Sequence, residues 1–197
     1  MSNNNPSLNP ANNNSLVGSV TFAFNKLMQN MNSMLPAKVI KYDRENNRVS
    51  VQPLINLMTT DGSQVSRAQL SSIPVFVFGG GGFRISFPLN TGDLGWILAN
   101  DRDISLFLQS YKQTAPNSAR IRTFSDAVFF PDVMNGLNSI AGDDAENVVI
   151  QSIDGSVSIA LSTDTIDIIA PVAVNITAPV LAVTGNITAT GTITPGV

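Results

Sequence analysis

The sequence predicts a mainly β protein, and three features of the chain lead to that fold class. Residues 148–197 alternate Val, Ile, Leu or Ala with Thr, Ser or Asn, and contain no Lys, Arg or aromatic residue. The preceding hundred residues hold short apolar runs separated by Gly- and Asn-rich turns. Only one segment, near the N-terminus, repeats apolar residues at intervals of three and four. A period of two is typical of strands, whereas the longer period is typical of a helix.

The composition limits the chemistry that the chain can perform. Its 197 residues include no Cys and no His, so thiolate chemistry, the commonest general base and the commonest metal ligand are missing. Residues 1–122 carry 11 basic and 6 acidic side chains, whereas residues 123–197 carry 8 acidic ones and no basic one. This acidic half would repel nucleic acid. We expect a non-enzymatic protein without cofactor, metal or nucleic-acid partner.

The N-terminal region divides into an arm and a helix. Residues 1–14 are rich in Asn, a composition that predicts a flexible arm, and they lack the features of a signal peptide, so we expect synthesis in the cytoplasm. Residues 15–35 predict an amphipathic helix with Ser15 as N-cap and Pro36 as its stop. This helix either packs on its own domain or docks into a partner. The predicted docking contacts are Phe22, Phe24, Leu27, Met28 and Met31.

Residues 36–134 predict a compact β domain. Five or so strands and one short helical interruption favour a small Greek-key barrel of the OB type, with a flat sandwich as the alternative. Ile104–Leu108 fits a short helix or a strand, capped by Asp103, and Trp96 is expected in the core. The predicted strands are Ala37–Asp43, Arg48–Ile55, Ile73–Phe78, Phe83–Phe87, Leu94–Ala99, Ile121–Phe124 and Ala127–Phe130.

The C-terminal region predicts an acidic neck followed by a needle. In residues 135–147, Asp143, Asp144 and Glu146 fit a solvated linker or, if several copies converge, a cation site. In residues 148–197, turn signals recur every seven to eight residues, which favours a β-helix. One chain lacks the bulk to fill such a core, so an intertwined homotrimer is favoured over a single-chain solenoid. The predicted needle core comprises Val157, Ile159, Leu161, Ile166, Ile168, Val172, Val174, Ile176, Val180, Ile187 and Ile193.

Several motifs resemble the central-spike family of contractile-tailed bacteriophage baseplates. They are Leu35–Ile40 with Asn47–Ile55, Ile73–Val75, the glycine run with Phe83–Pro88, and Gly92–Gly95 followed by Arg102–Ile104. The resemblance covers residues 36–131 by motif order and the tail by architecture. It implies an OB-fold domain and a β-helix needle, in a homotrimer attached to the tail hub of the virion. On sheath contraction, such a spike would puncture the host outer membrane.

One departure from that family concerns the tip. Several members end in a His-rich tip that holds an iron ion, and this chain has no His. Either a separate small protein caps the needle at Val197, or the blunt end is itself the tip. The resemblance does not distinguish a phage from a phage-derived injection machine.

Two other functions remain open from the residues alone. An OB-fold oligonucleotide-binding protein would use the basic and aromatic cluster of Arg120, Arg122 and Phe124. A baseplate-associated cell-wall hydrolase would use paired carboxylates, such as Asp101 with Asp103 or Asp126 with Asp132. The glycine run, residues 79–82, lacks the Lys and Ser/Thr of a phosphate-binding loop. It indicates a flexible backbone or a close approach to a neighbouring subunit.

Overall fold

The computed structural model of the protein describes residues 15–59, 62–134, 136, 139–140 and 142–193. The predicted arm, residues 1–14, lies outside this range. The chain divides into two compact units, residues 1–138 and 139–197. The described elements are mainly β, as the sequence predicts. Within this described part, no helix has the length and apolar character needed to cross a bilayer.

The first unit begins with helix α1, Leu16–Asn30. Its start is as predicted, because the Ser15 hydroxyl accepts a hydrogen bond of 3.0 Å from the Gly18 amide. Its predicted end is wrong: the helix stops five residues before Leu35. The next residues instead form a strand whose Met34 pairs with Leu98. Ladder hydrogen bonds therefore end the helix before Pro36 does.

Nine strands follow among the described residues of the first unit. Two pairs, β3–β4 and β6–β7, are small hairpins outside the main sheet. The strands are β1 (Met34–Asp43), β2 (Arg48–Pro53), β3 (Leu57–Met58), β4 (Gln64–Val65), β5 (Leu70–Pro74), β6 (Phe78–Gly80), β7 (Phe83–Ile85), β8 (Leu94–Ala99) and β9 (Ala127–Pro131).

The main sheet has the order β5-β2-β1-β8-β9, and all its neighbouring strands are antiparallel. Its two edges also meet, because Val75 forms a parallel bridge with Phe129, and the Phe76 amide donates to the Phe129 carbonyl at 2.8 Å. The sheet therefore curls into a half-barrel rather than lying flat. The chain enters the half-barrel next to the C-terminal end of β8, where Met34 pairs with Leu98. It leaves the half-barrel next to the N-terminal end of β8, where Pro131 pairs with Gly95.

Alternating side chains of the strands fill the half-barrel. The core contains ten buried apolar residues, of which Phe129 and Ile97 are the largest that are fully buried. Burying each of the larger ones contributes about 1.5–3 kcal/mol. The core residues are Ala37, Val39, Val49, Val51, Ile73, Val75, Ile97, Phe124, Ala127 and Phe129.

Three local predictions in this domain are wrong. Ile121–Phe124 is not a strand: Arg122 adopts a left-handed φ of 46°, and a 3₁₀ helix follows at Phe124–Asp126. The strand predicted at Ile73–Phe78 is divided between β5 and β6. Trp96 is only half-buried, because the next residue, Ile97, points into the core and the Trp96 ring lies on the other face of β8.

The short element after β8 is helix α2, Ser105–Ser110. The carboxylate of Asp103 accepts a 2.9 Å hydrogen bond from the Ser105 amide, as expected of a residue that begins a helix. The helix ends at Tyr111, which has a left-handed φ of 52°. Of the two interpretations that the sequence left open, the helix is the one confirmed.

The second unit contains an antiparallel meander of three strands, β10 (Val148–Gln151), β11 (Ser158–Leu161) and β12 (Ile166–Ile169). The turn between β10 and β11 is closed around Asp154, whose carboxylate accepts a hydrogen bond from the Ser156 amide at 3.1 Å. Residues 170–193 form no regular helix or strand in the single chain. The intertwined β-helix and the trimer therefore stay predictions.

Candidate functional site

The most unusual surface of the molecule is one face of the β10–β12 meander. Directly paired residues lie on the same face of a sheet, and so do residues two apart on one strand. The pairing register therefore places six apolar side chains on one face, with no polar residue among them. These residues, here called the apolar face, are Val148, Ile150, Ile159, Leu161, Ile166 and Ile168.

The apolar face is uncovered in the single chain. Its six side chains are between 39% and 69% exposed, whereas Ser158 and Ala160, at the centre of the opposite face, are buried. An antiparallel sheet normally packs its apolar face and leaves its polar face to water. In this meander the small residues Ser158 and Ala160 are buried, whereas the large aliphatic residues of the apolar face are exposed. An exposed apolar patch of this kind marks an association surface.

The predicted needle core is only partly brought together. Ile159, Leu161, Ile166 and Ile168 share the apolar face, and Val157 precedes β11 directly. The predicted needle core did not include Val148 and Ile150. The alternation of these two residues at the start of the tail was the sequence signal that could have identified them. The remaining predicted core residues are all more than half exposed and lie beyond β12: Val172, Val174, Ile176, Val180, Ile187 and Ile193.

A second uncovered surface is the stripe of helix α1. Phe24, Leu27, Met28 and Met31 are exposed, and Phe22 is half-buried beneath the ammonium group of Lys26, 5.6 Å from its ring centroid. The helix does not bury its large apolar side chains against its own domain. This observation favours the docking interpretation over the packed one.

A buried ion network holds the loop between β8 and β9. The Arg120 guanidinium donates to both oxygens of Asp126 at 3.0 Å and lies 3.0 Å from a carboxylate oxygen of Asp103. The Ser118 hydroxyl donates to Asp103 at 2.6 Å. Both carboxylates are almost fully buried. One guanidinium and the neutral donors Ser118 and Thr123 therefore hold both carboxylates in place, and these contacts stabilise the loop.

The environment of Asp103 favours its ionised form. A hydrogen bond from the Ser118 hydroxyl, then the hydrogen bond from the Ser105 amide, and then the charge of Arg120 hold the pKa of the Asp103 carboxyl well below its ordinary value. They do so against the opposing effect of burial. The charge of Asp126, with its hydrogen bond, likewise raises the pKa of Arg120.

This network predicts a specific loss of stability in acid. A carboxyl with a lowered folded pKa stabilises the native state above its unfolded pKa, and that contribution is lost as the pH falls through the folded pKa. We expect the melting temperature to fall as the pH drops below about 4, the unfolded range of Asp. An Asp103→Asn variant should melt several degrees lower at pH 7 and show a flatter acid profile, measured by circular dichroism.

The matched control for this prediction is Asp101→Asn. Asp101 is exposed and pairs with Arg122 at 3.3 Å and Arg102 at 3.6 Å, so its ion pairs contribute little. Its removal should leave the melting temperature and the acid profile close to those of the parent. Equal behaviour of the two variants would contradict a stabilising role for the buried network.

The residues considered for other functions are engaged elsewhere. Phe124 is buried in the core, so its ring is not available to stack on a base. Asp132 accepts a 2.7 Å hydrogen bond from the Trp96 indole. A cavity of about 320 Å³ adjoins the ion network and is lined by the guanidinium groups of Arg48 and Arg120. Both groups already have hydrogen-bond acceptors: Arg48 donates to the Ser72 carbonyl, and Arg120 donates to the carboxylates of the network.

The described part of the acidic neck forms no cation site within a single copy, and the site predicted for several converging copies stays a prediction. No group of three or more His, Cys, Asp or Glu side chains there is arranged to hold a metal ion. The Asp144 carboxylate instead accepts a 3.0 Å hydrogen bond from the Asn147 side chain.

Residues 35–132, which run from the second residue of β1 to just beyond β9, match the family described as the phage protein Gp138 N-terminal domain. No curated protein matches the chain. The match indicates a phage protein with a structural, virion-associated role.

Proposed function

We propose that this phage protein is the central spike of a phage baseplate or of a phage-derived injection machine. In this role, three copies form a needle that attaches to the tail hub and punctures the host outer membrane on sheath contraction. The apolar face of β10–β12 is the observation that carries the proposal, because a virion protein with such an uncovered face requires an assembly partner.

The chemistry of the apolar face supports association with identical copies. Charged residues are missing from it, so copies can meet there without bringing like charges together. Six half-exposed aliphatic side chains, at about 1.5–3 kcal/mol each for full burial, provide roughly 5–9 kcal/mol per chain. Further exposed Val and Ile side chains beyond β12 can extend the same core.

Three copies suit this meander better than two. Both β10 and β12 are edge strands in the single chain, with unpaired backbone groups along one side. Two sheets packed face to face would leave four such edges open. Three sheets around one axis can pair every edge with a neighbour and close the structure. The resulting rod has a dry core and continuous backbone hydrogen bonds, which resist buckling under an axial load.

The first unit fits the place between hub and needle. Its strand order and the parallel contact between β5 and β9 support the OB-type interpretation, the domain expected to face the hub. Helix α1 provides an uncovered apolar stripe for that attachment.

Attachment through helix α1 can be tested without disturbing the trimer. A variant that lacks residues 1–30 should keep a trimeric mass but fail to co-purify with tail particles when it is expressed with the other tail proteins. The single variant Leu27→Asp should weaken attachment at least tenfold, as expected for an apolar contact at the centre of an interface. Tail particles are isolated by sedimentation and probed for the tagged chain.

The control for this experiment is Ser19→Asp, which adds the same charge at an exposed position of the same helix, more than one turn from Phe24, Leu27, Met28 and Met31. It should attach as the parent does. If Leu27→Asp also attaches normally, the helix does not dock into the hub. If the deletion variant loses its trimeric mass, α1 serves self-association instead.

A further inference from the structure

The glycine run forms the turn of a third uncovered apolar element. Strands β6 and β7 are joined by Gly81 and Gly82, which adopt left-handed φ values of 58° and 88°. This geometry gives a two-residue hairpin turn that favours glycine. We call β6, β7 and this turn the phenylalanine hairpin. The glycine run therefore serves as a hairpin turn and not as a phosphate-binding loop.

One face of the phenylalanine hairpin is entirely apolar. Phe78 pairs with Ile85, and Gly80 pairs with Phe83, so the side chains of all three larger residues lie on one face. Arg84 pairs with Gly79 and lies on the other face. Phe83 is 83% exposed and Phe78 is 68% exposed, values that are unusual for aromatic rings of a folded domain.

The hairpin is held in place by aromatic contacts at its base. The Phe76 ring stacks on Phe130 of β9 with centroids 4.1 Å apart, and it meets the edge of the Phe78 ring at 5.3 Å. The Phe76 amide also donates to the Phe129 carbonyl. The rings of the hairpin are therefore presented in a fixed direction from the half-barrel.

The exposed aromatic surface is a large part of what an interface needs. At about 200 Å² for each ring, the exposed parts of Phe76, Phe78 and Phe83 amount to roughly 380 Å². Each partner in a stable protein interface contributes about 800 Å². These three rings alone would provide nearly half of that area.

We propose that the phenylalanine hairpin packs against the same hairpin of neighbouring copies. Identical surfaces can meet only where they bring no like charges together, and the Phe78–Ile85 face contains no charged residue. At Gly80, Gly81 and Gly82 a side-chain carbon would find only open space, so three tips can approach closely around an axis. The hairpin would thus form a second self-association contact, within the half-barrel domain.

This inference rests on the proposed trimer, and the test separates the two. The chain has no Cys, so Gly80→Cys introduces a single thiol into open space without a left-handed φ. Gln113→Cys, in the exposed loop after α2, is the control. Under mild oxidation we expect Gly80→Cys, but not Gln113→Cys, to form a covalent dimer on a non-reducing gel. The yield should not change on dilution, because the bond forms within one trimer.

The possible results distinguish a failure of the hairpin contact from a failure of the proposed trimer. Light scattering on the unoxidised variants measures the assembly independently of the hairpin. A trimeric mass with no more crosslinking at Gly80→Cys than at the control overturns the hairpin contact alone. A monomeric mass overturns both proposals. A trimer in which the introduced thiol reacts freely with maleimide, and which floats with neutral phospholipid vesicles, assigns the hairpin to lipid and overturns the self-contact.

Discussion

Replacing Ile159 with Asp is expected to convert the protein from the proposed trimer of about 63 kDa, three times 20.9 kDa, to a monomer of 20.9 kDa. Ile159 lies at the centre of the apolar face, between its pairing partners Ile150 and Ile168. In a closed trimer, the substitution would place three carboxylates near one axis without compensating charges. Burying each uncompensated charge costs several kcal/mol, which exceeds the gain from one aliphatic side chain.

The matched control for this substitution is Gln151→Asp. Gln151 pairs with Ser158 on the opposite face of the same meander, and its side chain is exposed. The Gln151→Asp variant should therefore keep the same trimeric mass as the parent protein. Multi-angle light scattering after size exclusion distinguishes the two masses directly. A trimeric Ile159→Asp protein would show that the apolar face is not the assembly surface and would remove the main support for the spike.

Replacing Gly95 with Ala is expected to destabilise the half-barrel domain by about 3 kcal/mol or more, because the added carbon overlaps its neighbours. Its position falls on the Phe130 carbonyl oxygen and the Phe129 ring, and Phe129 is fully buried. The backbone of β9 cannot move away without breaking its ladder with β8. We expect a large fall in melting temperature, measured by differential scanning calorimetry.

Gly80→Ala provides the comparison for Gly95→Ala. Gly80 is also a strand glycine, but a side-chain carbon there meets open space. Its replacement should change the stability of the domain by no more than about 0.5 kcal/mol. An unchanged melting temperature for Gly95→Ala would contradict the close packing of β8 against β9.

Elements fixed by local chemistry could be predicted from the sequence. Ser15 caps α1 as expected, and the polar residues between β1 and β2 mark the turn correctly. Strand β8 was predicted with its bounds, because the turn before it and the alternation within it agree. The curled sheet follows from the same pattern of short strands.

The errors arise where long-range contacts override a local pattern. Helix α1 ends early because Met34 joins the ladder with β8. The alternation at residues 121–124 does not produce a strand, because Arg122 adopts a left-handed backbone conformation. The sequence also could not show which side of the tail is uncovered. That depends on the register between strands, which places Val148 and Ile150 opposite Leu161 and Ile159.

The chain enters the half-barrel beside the end of β8 and leaves it beside the start of β8, and this has a mechanical consequence. A thrust or pull transmitted between these two points is directed along the strands, while the hydrogen bonds of the ladder lie across them. Such a load shears the bonds of β1, β8 and β9 all at once. It does not unzip them singly, so a load applied in this direction is opposed by all of these hydrogen bonds together.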